Sequence, residues 1–380
     1  MEHRFATDVE HILATLPSRP KICMDASVAL PPAKYSIVCD ANTYEALGQR
    51  VERELAAQCI MLPGTPVPDM ETVSLIRRET ASADTLVALG SGTINDLCKY
   101  ASFLDHKPYV AFPTAPSMNG YTSANASIIE NGKKQSHAAH LPTAVLCDMD
   151  IIASAPIRML RAGLGDSLAR STAQADWLLS HFIKGTHYDA RPFTLLAPYE
   201  PALLENAAAL GRGDKDAVMK LMEVLLLSGF GMTLAGGSYP ASGGEHMIAH
   251  TYESLYGAGG TLHGEQIGIT ALTMARLQES IVAALPPLAG GTKGGKGQSR
   301  SLSHFPFPHP PPPQTGEVKE SEVEKIHSIM LPSPRIEAIL KTASCHTTPK
   351  ELGWDEEKYA QAVKQARFSR DRFTFLNLME

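Results

Sequence analysis

The stretch DTLVALGSGTINDLCKYASFL, residues 84–104, decides the fold. It opens with a short apolar run, DTLVALG, too brief for a helix and apolar on both faces. That is the pattern of a strand in the middle of a parallel sheet. The turn GSGTIND follows, and LCKYASFL resumes at helical spacing. The same alternation extends outward in both directions. YSIVCD (35–40) reads as a strand, NTYEALGQRVERELAA as a helix, QCIMLP as a strand and DMETVSLIRRETAS as a helix. Downstream, PYVAFPT is a strand ending near Thr114, and ASIIEN and AVLCD are two further strands, with NGKK as a turn after the first. From Pro156 the strand signals stop and long helical periodicities take over, from APIRMLRAGLGDSLARSTAQADWLLSHFI through GEQIGITALTMARLQESIVAAL to DEEKYAQAVKQARF. The expectation is an α/β domain over residues 1–150 followed by an all-α domain over 151–380. A segment dense in Pro, Gly and Ser at about 285–316 reads as a mobile surface loop interrupting the second.

Composition narrows the function classes. The chain has 380 residues, 44% hydrophobic and 19% charged, enough for two cores of ordinary size. A formal charge of -6 and a pI near 6.2 provide no basic field for nucleic acid or an anionic membrane, so any anionic ligand must be held by local groups. Six cysteines without a CxxC pair or tight spacing point to reduced thiols in the cytoplasm. VMKLMEVLLLSGFGMTLAGG is interrupted by charge and glycine and reads as a buried helix, not a membrane span.

Chemistry-bearing residues gather at three places. In ALGSGTINDLCK, Gly90 and Gly92 follow a buried strand and open a helix whose first N–H groups can hold a diphosphate. Asn95 stands where the third glycine of a dinucleotide fingerprint would be, so an ordinary strand-to-helix turn is an equal alternative. Asp40 ends the first strand, suited either to ribose hydroxyls or to capping the next helix. FPTAPSMNGYTSANAS (112–127) concentrates Thr114, Ser117, Asn119, Thr122 and Ser123 at the C-terminal end of another strand, where open α/β sheets bind ligands, although a plain polar loop has the same composition.

The third place is GGEHMIAHTYESLYGAGGTLHGEQIG (243–268). On a helix, His246 and His250 stand at i and i+4 with side chains roughly 6 Å apart, and the glycine-rich bend can return His263 to the same point. The pair lacks the glutamate of H-E-x-x-H, because Glu245 precedes the first histidine. A catalytic metal site needs about three protein ligands and an open position. Asp166 in AGLGDSLAR offers a carboxylate, although Gly-Asp-Ser also reads as a helix N-cap.

Taken in order, GSGTINDLCK, FPTAPSMNGYTSANAS, GLGDSLA, GGSYPASGGEHMIAHTYE and LHGEQIG resemble the sn-glycerol-1-phosphate dehydrogenases, within the superfamily of dehydroquinate synthases and iron-containing alcohol dehydrogenases. The resemblance implies a dehydroquinate synthase-like fold. Its Rossmann-like first domain would bind NAD or NADP, and a cleft between it and the helical domain would hold one divalent metal, zinc first, with nickel or iron as alternatives. Position by position it implies that Gly92, Thr93, Ile94, Asn95 and Asp96 line the cofactor diphosphate. Thr114, Ala115, Pro116, Ser117 and Ser123 would complete the nucleotide site. Asp166, His246 and His263 would ligate the metal, and His250 would contact substrate, which divides the labour of the helical pair. The implied reaction is metal-dependent hydride transfer between dihydroxyacetone phosphate and sn-glycerol 1-phosphate, or a related polyol/ketone pair, by a homo-oligomer. A lyase-type cyclase that oxidises and re-reduces its substrate on bound NAD, or a non-catalytic homologue, are the alternatives. One departure stands out: where the family usually shows SMDG, with the aspartate touching substrate, this chain has Asn119, which keeps a hydrogen bond but removes a negative charge.

Overall fold

The computed structural model describes residues 2–25, 30–284 and 319–379, and the segment expected to form a loop at about 285–316 lies outside them. Six strands form one parallel sheet: β1 (Lys21–Cys23), β2 (Tyr35–Cys39), β3 (Gln58–Met61), β4 (Thr85–Gly90), β5 (Tyr109–Pro113) and β8 (Ala144–Leu146). Their order is β1-β8-β5-β4-β2-β3. β6 (Asn125–Glu130) and β7 (Lys133–Ala138) form a separate antiparallel hairpin. Its turn is Asn131-Gly132, both at positive φ, the conformation a two-residue hairpin demands. Every residue of β2, β4 and β5 is buried, as their unbroken apolar runs require of central strands, whereas edge strand β3 is only partly covered.

The strand order matters for function. The chain leaves β2 to one side to make β3, then returns to place β4 on the other side of β2. Connections departing to opposite sides leave a crevice at the carboxyl ends of β2 and β4, the switch point where open α/β sheets take ligands. Asp40 and the glycine turn after Gly90 both sit there. The turn is shorter than GSGTIND suggests, because the helix begins at Gly92 and runs to Leu104. The helix after Asp40 is also not continuous: Tyr44–Gly48 is a π-helical turn between two α-helical pieces.

Beyond the sheet the long periodicities are helices, including Ile157–Lys184, Lys215–Leu234, Gly244–Tyr256, His263–Ala284 and Glu356–Ala366. Lys215–Leu234 is long and apolar enough to cross a membrane by length and composition, yet most of it is buried inside the protein. Contacts divide the chain into two compact units, Met1–Ser167 with Arg191–Ser238, and Leu168–Ala190 with Tyr239–Glu380. The units therefore do not follow the change of secondary-structure type near residue 150, since several helices after that point belong to the same unit as the sheet. All six cysteines are free.

The second unit has its own core, in which the Tyr252 and Trp354 rings stack at 4.0 Å beside Ile248, Ile269 and Phe375. Asp176, on Ile157–Lys184, is the polar pin of this core. One oxygen accepts the Gly244 N–H at the start of the Gly244–Tyr256 helix (2.7 Å). The other accepts the Phe375 N–H (3.0 Å) and the Gln278 amide (3.2 Å), so three distant segments meet on one carboxyl. Burial, with the Glu245 charge nearby, pushes its pKa up to about 7 against the pull of those donors. The folded chain thus holds this proton more tightly than the unfolded chain does. The stability contributed is complete below about pH 4 and is lost as pH rises through about 7, roughly 4 kcal/mol in all. Asp176→Asn removes this dependence, so the wild-type advantage in urea-unfolding free energy should shrink by about that amount between about pH 4 and about pH 8. A constant difference across that range would show a carboxyl with ordinary titration.

Candidate active site

The first cluster lies along the carboxyl ends of β2, β4 and β5. Asp40 caps the following helix: its Oδ1 accepts the Thr43 N–H at 2.8 Å while Thr43 Oγ1 accepts the Asp40 N–H, so the capping role is realised. β4 and β5 pair with Gly90 opposite Pro113, and the Thr114 N–H donates to the Gly90 carbonyl. The turn from Gly90 and the loop from Thr114 are thereby held side by side. Met118 packs against both segments: a Cβ on Gly92 would lie 2.9 Å from its side chain and one on Gly120 2.8 Å from it, so either would make that methionine shift.

Several side chains expected to face a nucleotide also carry internal bonds. Asp96 accepts the Ser127 N–H through Oδ2 and faces Asn95 and Lys99 through Oδ1. Ser123 Oγ is within hydrogen-bond distance of the Gly120 and Asn125 carbonyls and of Lys99 Nζ. Lys99 escaped sequence reasoning. Its ammonium is fully buried and donates to the Gly120 carbonyl at 2.6 Å and the Asn125 carbonyl at 2.9 Å, stapling the 120–125 segment to the Gly92–Leu104 helix. Burial lowers its pKa, against the opposing pull of Asp96.

The second cluster is histidine-rich. His246 and His250 are neighbours on the Gly244–Tyr256 helix with ring centroids 6.0 Å apart, as i and i+4 dictate. Gly257, Gly259 and Gly260 take φ of 81°, 63° and 76°, a left-handed bend open to glycine, and deliver His263 at the start of the next helix. Its ring lies 5.1 Å from His246 and 5.7 Å from His250. Asp166 is not a helix N-cap, because Ile157–Lys184 starts nine residues earlier and runs straight through it. Asp166, His246 and His263 each present one donor atom, all within 4.8 Å of one another. Two donors on one ion with bonds of about 2.2 Å lie at most roughly 4.4 Å apart, so the 4.8 Å bound brings this carboxylate and two imidazoles to within a few tenths of an ångström of what one divalent cation needs. His250 stands outside the set, its Nδ1 3.5 Å from Glu253 Oε2, and Gln266 donates to the other Glu253 oxygen at 3.1 Å.

The two clusters share a loop. The Asn119 N–H donates to Asp166 Oδ2 at 3.2 Å, and the Asn119 side-chain amide donates to Ser228 Oγ at 3.2 Å. Gly163, one turn before Asp166, permits this approach: a Cβ there would lie 1.8 Å from the Pro116 carbonyl oxygen. Gly229 does the same from the Lys215–Leu234 helix, where a Cβ would lie 2.4 Å from the Asn119 carbonyl oxygen. Next to His246, Glu245 is fully buried. Burial raises its pKa, but the His246 hydrogen bond and charge, the Gly243 N–H and the Thr172 hydroxyl together bring it below the ordinary carboxylate value.

Residues 16–156 match the family model described as iron-containing alcohol dehydrogenase. A glycerol-1-phosphate dehydrogenase (NAD(P)+) of Pyrococcus furiosus is 38% identical over 245 residues, 63% of this chain and 70% of that one. The enzyme of the same name from Bacillus velezensis is 30% identical over 361 residues, 90% of this chain and 84% of that one. Among solved structures, a probable glycerol dehydrogenase from Sinorhizobium meliloti superposes with a TM-score of 0.66 at 18% identity, covering 94% of each chain, which establishes the likeness of fold.

The glycine contacts generate a direct test. Gly163→Ala should lose about 3 kcal/mol in denaturant unfolding, because backbone oxygen cannot swing away from the new methyl group. Gly237→Ala, whose Cβ would meet nothing within 4 Å, should stay within about 0.5 kcal/mol of wild type. Equal stability of the two variants would show that the loop can retreat from the helix.

Proposed function

The chain belongs to the glycerol-1-phosphate dehydrogenase family, of the iron-containing alcohol dehydrogenases, and from that premise we propose that it reduces dihydroxyacetone phosphate to sn-glycerol 1-phosphate, or interconverts a closely related small polyol and ketone. It is an NAD(P)-dependent oxidoreductase. The observation that carries the substrate-level reading is the convergence of Asp166, His246 and His263, with His250 beside them.

Asp166, His246 and His263 would hold the divalent cation, and Asp40, Gly90, Gly92–Asp96, Thr114–Ser117 and Ser123 would hold the nucleotide at the switch point of the sheet. When bound, the cation supplies Lewis-acid stabilisation of the negative charge that builds on a carbonyl oxygen under hydride attack, and NAD(P) carries the hydride. The chain's own groups do the rest. Asp40 keeps Oδ1 for the cap and offers Oδ2 to ribose hydroxyls. The opening turn of Gly92–Leu104 presents backbone N–H groups to phosphate oxygens. Glu253, held by Gln266, lies against His250 Nδ1, and His250 would supply the proton to the substrate oxygen. The Asn119 backbone N–H steadies the Asp166 carboxylate, and its neutral side chain places no second anion beside it. Zinc is the first choice of metal because a three-ligand set of one carboxylate and two imidazoles suits it, with nickel or iron accepting the same donors.

The test is turnover with dihydroxyacetone phosphate and either nicotinamide cofactor, together with elemental analysis of the purified protein. Wild type should consume reduced cofactor stoichiometrically with product. His263→Ala should lose the metal and on the order of 10³-fold in kcat/KM, the several kcal/mol that a Lewis acid contributes. Full activity in His263→Ala, or product without net cofactor consumption in wild type, would overturn this reading.

A further inference from the structure

The metal-centre reading names three ligands, but a ligand must also be aimed. A histidine has two ring nitrogens and can bind a cation only through the one that carries a lone pair. His246 Nδ1 lies 2.9 Å from Glu245 Oε1. An ionised carboxylate only accepts, so this contact puts the proton on Nδ1 and leaves the lone pair on Nε2. We propose that Glu245 is the positioning residue of the centre, fixing the tautomer and the orientation with which His246 meets the cation shared with Asp166 and His263. The inference rests on the metal-centre reading.

Glu245 is itself held as a rigid part would be. It is completely buried. Oε2 accepts the Thr172 hydroxyl at 2.8 Å, and Oε1 accepts the Gly243 N–H as well as facing His246. Both anchors are rigid: Thr172 lies on the Ile157–Lys184 helix, six residues from Asp166, and Gly243 is the backbone position that opens the Gly244–Tyr256 helix. The charge is tolerated at that depth because it sits at a helix N-terminus, where the backbone dipole favours an anion. Two arginines from the C-terminal segment also converge nearby on Ser242. Arg370 donates to its hydroxyl and Arg372, stacked over the Tyr239 ring, donates to its carbonyl. A glutamate needed only to cap the helix would satisfy backbone N–H groups alone. Here one oxygen is divided between the backbone and a metal-binding imidazole, the arrangement in which a carboxylate raises the basicity of its histidine and locks the ring.

Glu245→Gln tests this with the fold kept. The Gln carbonyl can take the place of Oε1 and accept both the Gly243 and His246 N–H groups, and its NH2 can donate to the Thr172 hydroxyl, so shape and bonding persist while charge and basicity go. Affinity for Zn2+ and Co2+ is measured by competition with a chromophoric chelator, and the Co2+ form is compared by visible absorption; neither readout needs substrate or cofactor. The expectation is affinity about 10- to 100-fold weaker and a shifted Co2+ spectrum, with cooperative thermal unfolding of the metal-free protein retained. Thr172→Val removes only the hydroxyl anchor and should weaken affinity several-fold; it decides the matter alone if the Gln variant does not fold. Wild-type affinity and spectrum in the folded variants would overturn the role of Glu245 while leaving the metal centre standing. A wild-type chain that binds neither cation would overturn the centre itself, and this inference with it.

Discussion

One helix sets the geometry on which everything else depends. Ile157–Lys184 buries several polar side chains, Asp166, Thr172 and Asp176 among them, and each must find hydrogen-bond partners because a carboxylate or hydroxyl stranded in the interior costs several kcal/mol. Asp166 meets the Asn119 N–H and the two imidazole-bearing residues, Thr172 donates to Glu245, and Asp176 collects N–H groups from three segments. Satisfying these groups together leaves little freedom for the elements that supply the partners. The histidine helix is pinned at its first turn, and the loop after β5 is pressed against the glycine face of the same rod. Movement of the helix would unbalance all of these buried polar groups together, Asp166 included.

Much of the fold was legible in the residues because the signals were local. The β2, β4 and β5 runs are apolar throughout because neighbours cover both faces, and Asn-Gly after ASIIE marks a turn, although NGKK as a whole is not that turn: its two lysines begin β7, a strand that the polar run KKQSHA does not announce. β1 escaped notice since three residues, KIC, carry no period. The resemblance of the quoted motifs selected Asp166, His246 and His263 from a longer set of candidates, and their donors do come together. Spacing alone had paired His246 with His250, which face each other but do not share the donor cluster.

The misreadings have physical causes. Gly-Asp-Ser at 165–167 looks like the start of a helix, because short polar side chains after glycine usually cap one. In this chain the neighbouring Gly163 is small for a different purpose, the passage of the Pro116 carbonyl, and Asp166 sits in mid-helix where its carboxylate can turn inward. Glu245 stands out in the sequence only as a glutamate on the wrong side of a histidine, and its partner Thr172 is 73 residues away. Lys99 offers even less: a lysine in a helix ordinarily faces water, and only the tertiary carbonyls of Gly120 and Asn125 account for its burial. Long-range hydrogen-bond partners leave no periodic trace, so these roles appear only in three dimensions.

The way the two compact units share the chain has a consequence for synthesis. The first unit includes Arg191–Ser238, and the intervening Leu168–Ala190 belongs to the second, so neither is a contiguous length of polypeptide. A ribosome adding about 5–20 residues per second needs roughly 10–50 s to supply the last of the first unit. Throughout that interval the first unit lacks the Lys215–Leu234 helix, and when that helix does emerge its apolar residues, mostly buried in the folded protein, are still uncovered. Nascent chains of this protein thus pass through a window of vulnerability ordained by connectivity, and swift docking of that one segment closes it.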